Sequence, residues 1–215
     1  MSVFPDPAYL SWMTLIGWSW SAAAYYLMFA QRGRAILANP SMILLAAILL
    51  FGSLRHVLGE MEALSILANG ITPLDGQFGY GIPETIAFAE ALGEEGRDAY
   101  AVFQLGADAL APPAFVCFLM AVYRSTVQSA LVQRGLTVLA FTYFTSVLIA
   151  NTFMPVIMQN FPNAETGLLP LYYQLIPKLD LIKYLTHGVA WLVIFGAWAW
   201  QVLRWSQRRF SQPAS

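Results

Sequence analysis

Residues 40–58 read PSMILLAAILLFGSLRHVL. From Ser41 to Leu54 the run carries no charge and is dominated by Leu, Ile and Ala. A helix needs about 20 such residues to cross the hydrocarbon core of a bilayer. The rest of the chain fits that reading. Hydrophobic residues make up 58% of 215 and charged residues only 11%, against about a quarter in soluble domains. The mean hydropathy is +0.58. A soluble fold of this size could not hide so much apolar surface.

Working outward from 40–58, four more segments can span: about 9–30, 99–123, 135–158 and 179–203. The first lacks the positive flank of a signal peptide and reads as a retained helix. Between the second and third spans, ITPLDGQFGYGIP (71–83) has the Gly, Pro and Asp punctuation of an irregular loop. The following ETIAFAEALGEEG has a partly apolar face and predicts a short interfacial helix over about 83–95. The fold class expected is all-α: a polytopic membrane helix bundle, one domain over 1–215, with about five transmembrane helices.

Charge sets the direction. Arg32 and Arg34, then Arg124 and Arg134, then Arg204, Arg208 and Arg209 fall on one side. Asp6, Glu60, Glu62, Asp75, Glu84, Glu90, Glu94, Glu95, Asp98 and Glu165 fall on the other. Arginine marks the cytoplasmic side, which puts the N-terminus outside and the C-terminus inside. A multi-pass protein of a cell membrane, of the bacterial inner-membrane kind, is expected. Its partners would be membrane lipids, a lipophilic small molecule or other membrane subunits. A net charge of −1 without a basic aromatic patch argues against nucleic acid. The single cysteine, Cys117, can form no intrachain disulfide, and no spacing suggests a metal or cofactor site.

Ionisable groups inside spans default to functional hypotheses. Asp108 lies in the third expected span, four residues before Pro112. Proline cannot donate to the carbonyl four residues back, so a kink beside the Asp108 carboxyl group is expected. The fourth span repeats the device with Asn151 and Pro155, at a similar depth. Thr145, Ser146 and Thr152 add a polar stripe. In the fifth span Asp180, Lys183, His187 and Trp191 share one helical face. His56 and Glu60, four apart, can pair on the second. Asp108, with His56 and Glu60, forms the candidate catalytic set; Asn151, Asp180, Lys183, His187 and Trp191 form the candidate ligand-binding set. Most also have a structural reading: an ion pair for Asp108, snorkelling for Lys183 and Asp180, interhelical hydrogen bonding for Asn151, an interfacial pair for His56 and Glu60, and packing for Trp191. All lie in the outer half of the expected bundle, which predicts a polar pocket there above an apolar inner half.

The run FGYGIPETIAFAEALGEEGRDAY, with GADALAPPAF after it, resembles a family of small bacterial membrane proteins. The matching features are Gly79, Tyr80, Gly93 to Arg97, Asp108 and Pro112, with Lys183 for a late lysine. The acidic-Asn pair of that family appears here as Ala150-Asn151. This resemblance implies a membrane fold and no particular activity. The His-x-x-x-Glu of His56 and Glu60 also resembles the emopamil-binding, EXPERA-type sterol isomerases, which have five spans and an acidic residue in the third. That resemblance implies proton transfer on a sterol- or isoprenoid-like substrate, with Asp108 or Glu60 as acid/base and His56 tuning or sharing the proton.

Overall fold

The computed structural model describes residues 4–163 and 166–210, without the side chains of 208–210. Glu165 and the side chains of Arg208 and Arg209 therefore lie outside the described residues. The described chain is helical: α1 Trp12–Phe29, α2 Gln31–Leu37, α3 Ser41–Leu67, α4 Ile82–Leu105, α5 Ala111–Thr126, α6 Ala130–Asn160 and α7 Leu169–Phe210.

Local signals set the boundaries. Ser11 and Thr14 form a reciprocal cap at the start of α1, each side-chain oxygen accepting the other's backbone N–H. Asn69 stops α3. It adopts φ 54°, and the Gly70 N–H then reaches back to the Ser65 carbonyl at 2.8 Å. This is a Schellman turn, and Asn is one of the few side chains that tolerates its left-handed position. The turn sends residues 70–81 back over the end of the bundle. The Glu84 carboxylate accepts the Gly81 N–H at 2.8 Å and opens α4.

Two expected boundaries move. The interfacial helix over 83–95 is the first part of α4, which bends at Gly93 (φ 65°) and continues to Leu105. The expected span over 99–123 is not one helix. Residues 106–110 form a turn between α4 and α5. Pro112 therefore does not kink a running helix at Asp108. It sits in the first turn of α5, where its missing N–H costs nothing. The turn is packed tightly: a Cβ on Gly17 of α1 would meet the Ala109 Cβ at 2.8 Å.

From Ala111 to Tyr123, α5 is buried on every side. A helix apolar all round belongs at the centre of its bundle. Around it pack α1, α2, α3, α6 and α7. Long helices α3 and α7 turn apolar faces outward, with Leu44, Ile48 and Phe51 on one and Leu185, Leu192 and Phe195 on the other all at least half exposed. Three segments are long and apolar enough to cross a membrane: Ser41–Leu67, Ala130–Asn160 and Leu169–Gln207. Their outward faces then meet hydrocarbon rather than water, and the chain has the character of an integral membrane protein. The other two expected spans do not join these three. The Trp, Ser and Tyr content of α1 lowers its hydropathy, and the break at 106–110 leaves α5 with 16 residues.

Candidate functional site

The loop after α3 inserts a single 3-10 turn, Leu74–Gly76, into the end of the bundle. Leu74 is fully buried and anchors it. This carries Asp75 between α4 and α7. The Asp75 carboxylate accepts from Tyr100 Oη at 2.6 Å, from Gln104 Nε2, and from Lys183 Nζ at 3.3 Å. Its backbone carbonyl accepts from Tyr184 Oη. Lys183 also pairs with Asp180 at 2.9 Å, one helical turn earlier. Asp180 in turn accepts from the Tyr80 hydroxyl. Side-chain exposures of 12% for Lys183, 8% for Asp75 and 3% for Asp180 make this a buried ion cluster. Burial first, then the Asp180 and Asp75 carboxylates, push the phenol of Tyr80 in the loop well above its ordinary value. Tyr80 therefore stays a donor to Asp180.

Asp108 lies on the turn between α4 and α5. Asn151 of α6 donates to its Oδ2 at 2.8 Å, so the two expected partners do meet. Oδ1 of Asp108 has no hydrogen-bond partner among the described residues. Oδ1 of Asn151 is buried and likewise unpartnered within the chain. Of the polar stripe on α6, Thr145 makes a helix contact, its hydroxyl 3.0 Å from that of Tyr25 on α1, while Thr152 donates to the Leu148 carbonyl of its own helix.

His187 stacks on Phe115 of α5, ring centroids 4.3 Å apart and planes within 4°. Trp191 Nε1 donates to His187 Nε2 at 2.6 Å. Nε2 therefore carries no hydrogen, and the ring's proton sits on Nδ1. The expected helical face of α7 is thus real. Asp180 and Lys183 belong to the ion cluster, and His187 and Trp191 belong to an aromatic wall.

Asp75, Asp108, Lys183, Tyr184 and His187 line a cavity of about 350 Å³, whereas Asn151, Asp180 and Trp191 do not line it. Leu54, Val57, Leu58 and Met61 of α3 form one wall, and Lys183, Tyr184 and His187 of α7 form the other. Ala111, Pro112, Tyr143 and Val147 line its floor, with Asp75 and Asp108 at its polar end. The two walls pack on α5 but hardly on each other, so the cavity opens between them. Leu58, 63% exposed, stands at the mouth.

His56 and Glu60 point elsewhere. Both are exposed, neither lines the cavity, and neither has a hydrogen-bond partner among the described residues. The face of α3 that meets the cavity carries Leu54, Val57, Leu58 and Met61 instead. Residues that sequence reasoning left out are Asp75, Tyr80, Tyr100, Gln104 and Tyr184. One signal pointed to Asp75. Leu74 beside it is an apolar residue in an otherwise Gly-, Pro- and Asp-punctuated loop, which marks a buried anchor. No group of three or more metal-ligating side chains occurs among the described residues.

Comparison with protein-family models, with curated proteins and with solved structures finds no match to this chain.

Proposed function

We propose that the chain is a five-crossing membrane protein that holds a lipophilic small molecule or lipid, bearing one polar group, in the cavity between α3 and α7. The observation that carries the reading is the cavity itself: walls built largely of apolar side chains, with a few polar groups converging on it. That is the usual make-up of a small-molecule site. The polar group of the ligand would meet Asp108 Oδ1, Lys183 and His187. Its apolar body would lie against Val57, Leu58 and Val147.

Five crossings follow if the end of α4 and α5 together make one discontinuous segment. Non-helical backbone at membrane depth is tolerated where protein buries it or where it lines a cavity. The 106–110 turn meets both conditions, being largely buried and carrying Asp108. The arginine distribution then favours the N-terminus outside and the C-terminus in the cytoplasm, as in a bacterial inner membrane. A supporting role for the pocket within a larger membrane complex is compatible with the same reading.

One observation favours a second reading, an acid–base enzyme on a sterol- or isoprenoid-like substrate. Asp108 offers a carboxyl oxygen without a partner at the wall of an apolar cavity. General acid–base work needs a group within hydrogen-bond reach of the reacting atom, and in this reading Asp108 supplies it without His56 and Glu60.

The test is extraction. The full chain, purified from its membranes in mild detergent, is extracted with organic solvent beside a Leu58→Trp variant that plugs the mouth. One lipophile enriched over bulk lipid in the wild type and depleted in the variant is expected. Identical extracts, matching bulk lipid, would sink the proposal.

A further inference from the structure

At the end of the bundle opposite the ion cluster, α1, α2, α5 and α6 enclose a second depression of about 470 Å³. Three cations line it: Arg34 from α2, Arg124 from the last turn of α5 and Arg134 from α6. No carboxylate lines it, and among the described residues none of the three takes part in a salt bridge. Arg124 Nε is buried and has no hydrogen-bond partner within the chain. Its guanidinium is held 5.5 Å from the Tyr123 ring centroid. Three like charges gathered from three elements add to one positive field, and together they attract an anion.

An apolar track runs away from this pocket. Arg134, Val138 and Phe141 recur at i, i+4 and i+7, so they share one face of α6. Val138 is 64% exposed and Phe141 42%. Phe29 of α1, 52% exposed, packs edge-on against Phe141 with ring centroids 5.7 Å apart. From Arg134 to Phe141 the α6 face descends by about 10 Å at 1.5 Å per residue. The surface thus passes from cations to aromatic and aliphatic side chains over the depth at which a phospholipid passes from phosphate to acyl chain.

We infer that this depression is a binding site for an anionic phospholipid, whose phosphate lies among Arg34, Arg124 and Arg134 and whose acyl chain lies along Val138, Phe141 and Phe29. Guanidinium groups suit phosphate because their forked donors match its oxygens. The site rests on the membrane character of the chain but not on the α3–α7 cavity, which lies at the other end of α5.

The test uses the full chain, delipidated in detergent, and native mass spectrometry with equimolar phosphatidylglycerol and phosphatidylcholine. Bound phosphatidylglycerol is expected to exceed phosphatidylcholine by roughly tenfold, and Arg124→Gln with Arg134→Gln should abolish that preference, since each basic residue near a headgroup contributes comparably. A charge-matched control, Arg32→Gln with Arg204→Gln, removes the same net charge from the same end and should leave the preference intact. Leu58→Trp should also leave it intact, which separates this site from the cavity. A melting curve and gel-filtration profile close to wild type verify that the first double variant is folded; if it is not, Phe29→Ser, which keeps all three arginines and cuts the apolar side of the site, is read in its place and should lower the adduct. Equal binding of the two lipids would overturn the proposal. So would an equal loss in the control variant, or displacement of phosphatidylglycerol by inorganic phosphate alone, which would mark a simple anion site.

Discussion

Asp75 and Asp108 line the same cavity, yet their hydrogen bonding differs sharply. Asp75 arrives on a loop and is saturated: its carboxylate takes three side-chain donors and its carbonyl a fourth. Asp108 sits on a buried turn between two helices, and among the described residues its carboxylate is hydrogen-bonded by Asn151 alone. A carboxylate so fully bonded has little left to offer a ligand, and its bonds tie the loop to α4 and α7. A carboxylate with one oxygen unclaimed does little for the fold and is available for binding. The comparison separates a lock from a site within one cavity.

Removing the cation of the lock tests it hardest. Lys183→Met leaves Asp75 and Asp180 buried without their shared counter-ion. Breaking a buried pair from one side costs about 3–5 kcal/mol. A fall in the melting temperature of the detergent-solubilised chain is expected, the largest of any single change here. A melting curve within error of wild type would mean that the cluster is hydrated and not a lock.

Asp75→Asn comes next. The amide keeps an acceptor for Tyr100 but loses the charge that Lys183 and Gln104 meet. A loss of roughly 1–3 kcal/mol is expected, with faster hydrogen exchange confined to residues 70–81. Faster exchange spread evenly over α4 and α7 would contradict the view that this loop is what Asp75 fastens.

Asp108→Asn should do the opposite of both. An amide can still meet Asn151, so stability should change by no more than about 1 kcal/mol, while the lipophile recovered from the purified chain falls. A large loss of stability with the lipophile retained would place Asp108 among the structural residues and dissolve the contrast.

How far this contrast is legible in the sequence depends on chain distance. The Asp108–Asn151 pair is foreseeable because two neighbouring antiparallel helices, each marked by a proline, bring like depths together. The shared face of Asp180, Lys183, His187 and Trp191 follows from helical spacing alone. Asp75 is hidden because its partners lie 25, 29 and 108 positions away, and a Gly- and Pro-punctuated loop gives no periodicity from which to project a side chain inward. The break at 106–110 is hidden for another reason. Pro112 can kink a helix or begin one, and the close approach of Gly17 to Ala109, which holds the turn in place, is a contact between distant segments. The apolar content of α3, α6 and α7 is written in composition; which of their faces meet protein is set by α5.

The smallest expected effect concerns His56 and Glu60, and it bears most directly on the enzyme reading. Both side chains are exposed on α3 and stand off the cavity wall, so the pair has neither burial nor partners to lose. Surface changes of this kind stay within about 0.5 kcal/mol. His56→Ala and Glu60→Gln, singly or together, should leave the melting temperature, the lipophile content and any proton exchange at the cavity unchanged. The prediction is informative because the alternative requires motion. For His56 and Glu60 to share a proton with a ligand at Asp108, α3 would have to rotate and carry Val57 and Leu54 out of the core. Both pack against buried clusters, and such a rotation would strip apolar area from contact on several helices at once. If Glu60→Gln nonetheless lowered the bound lipophile as far as Asp108→Asn does, the α3 face seen here would not be the face that works. The division between lock and site would then have to be redrawn around a rotated helix.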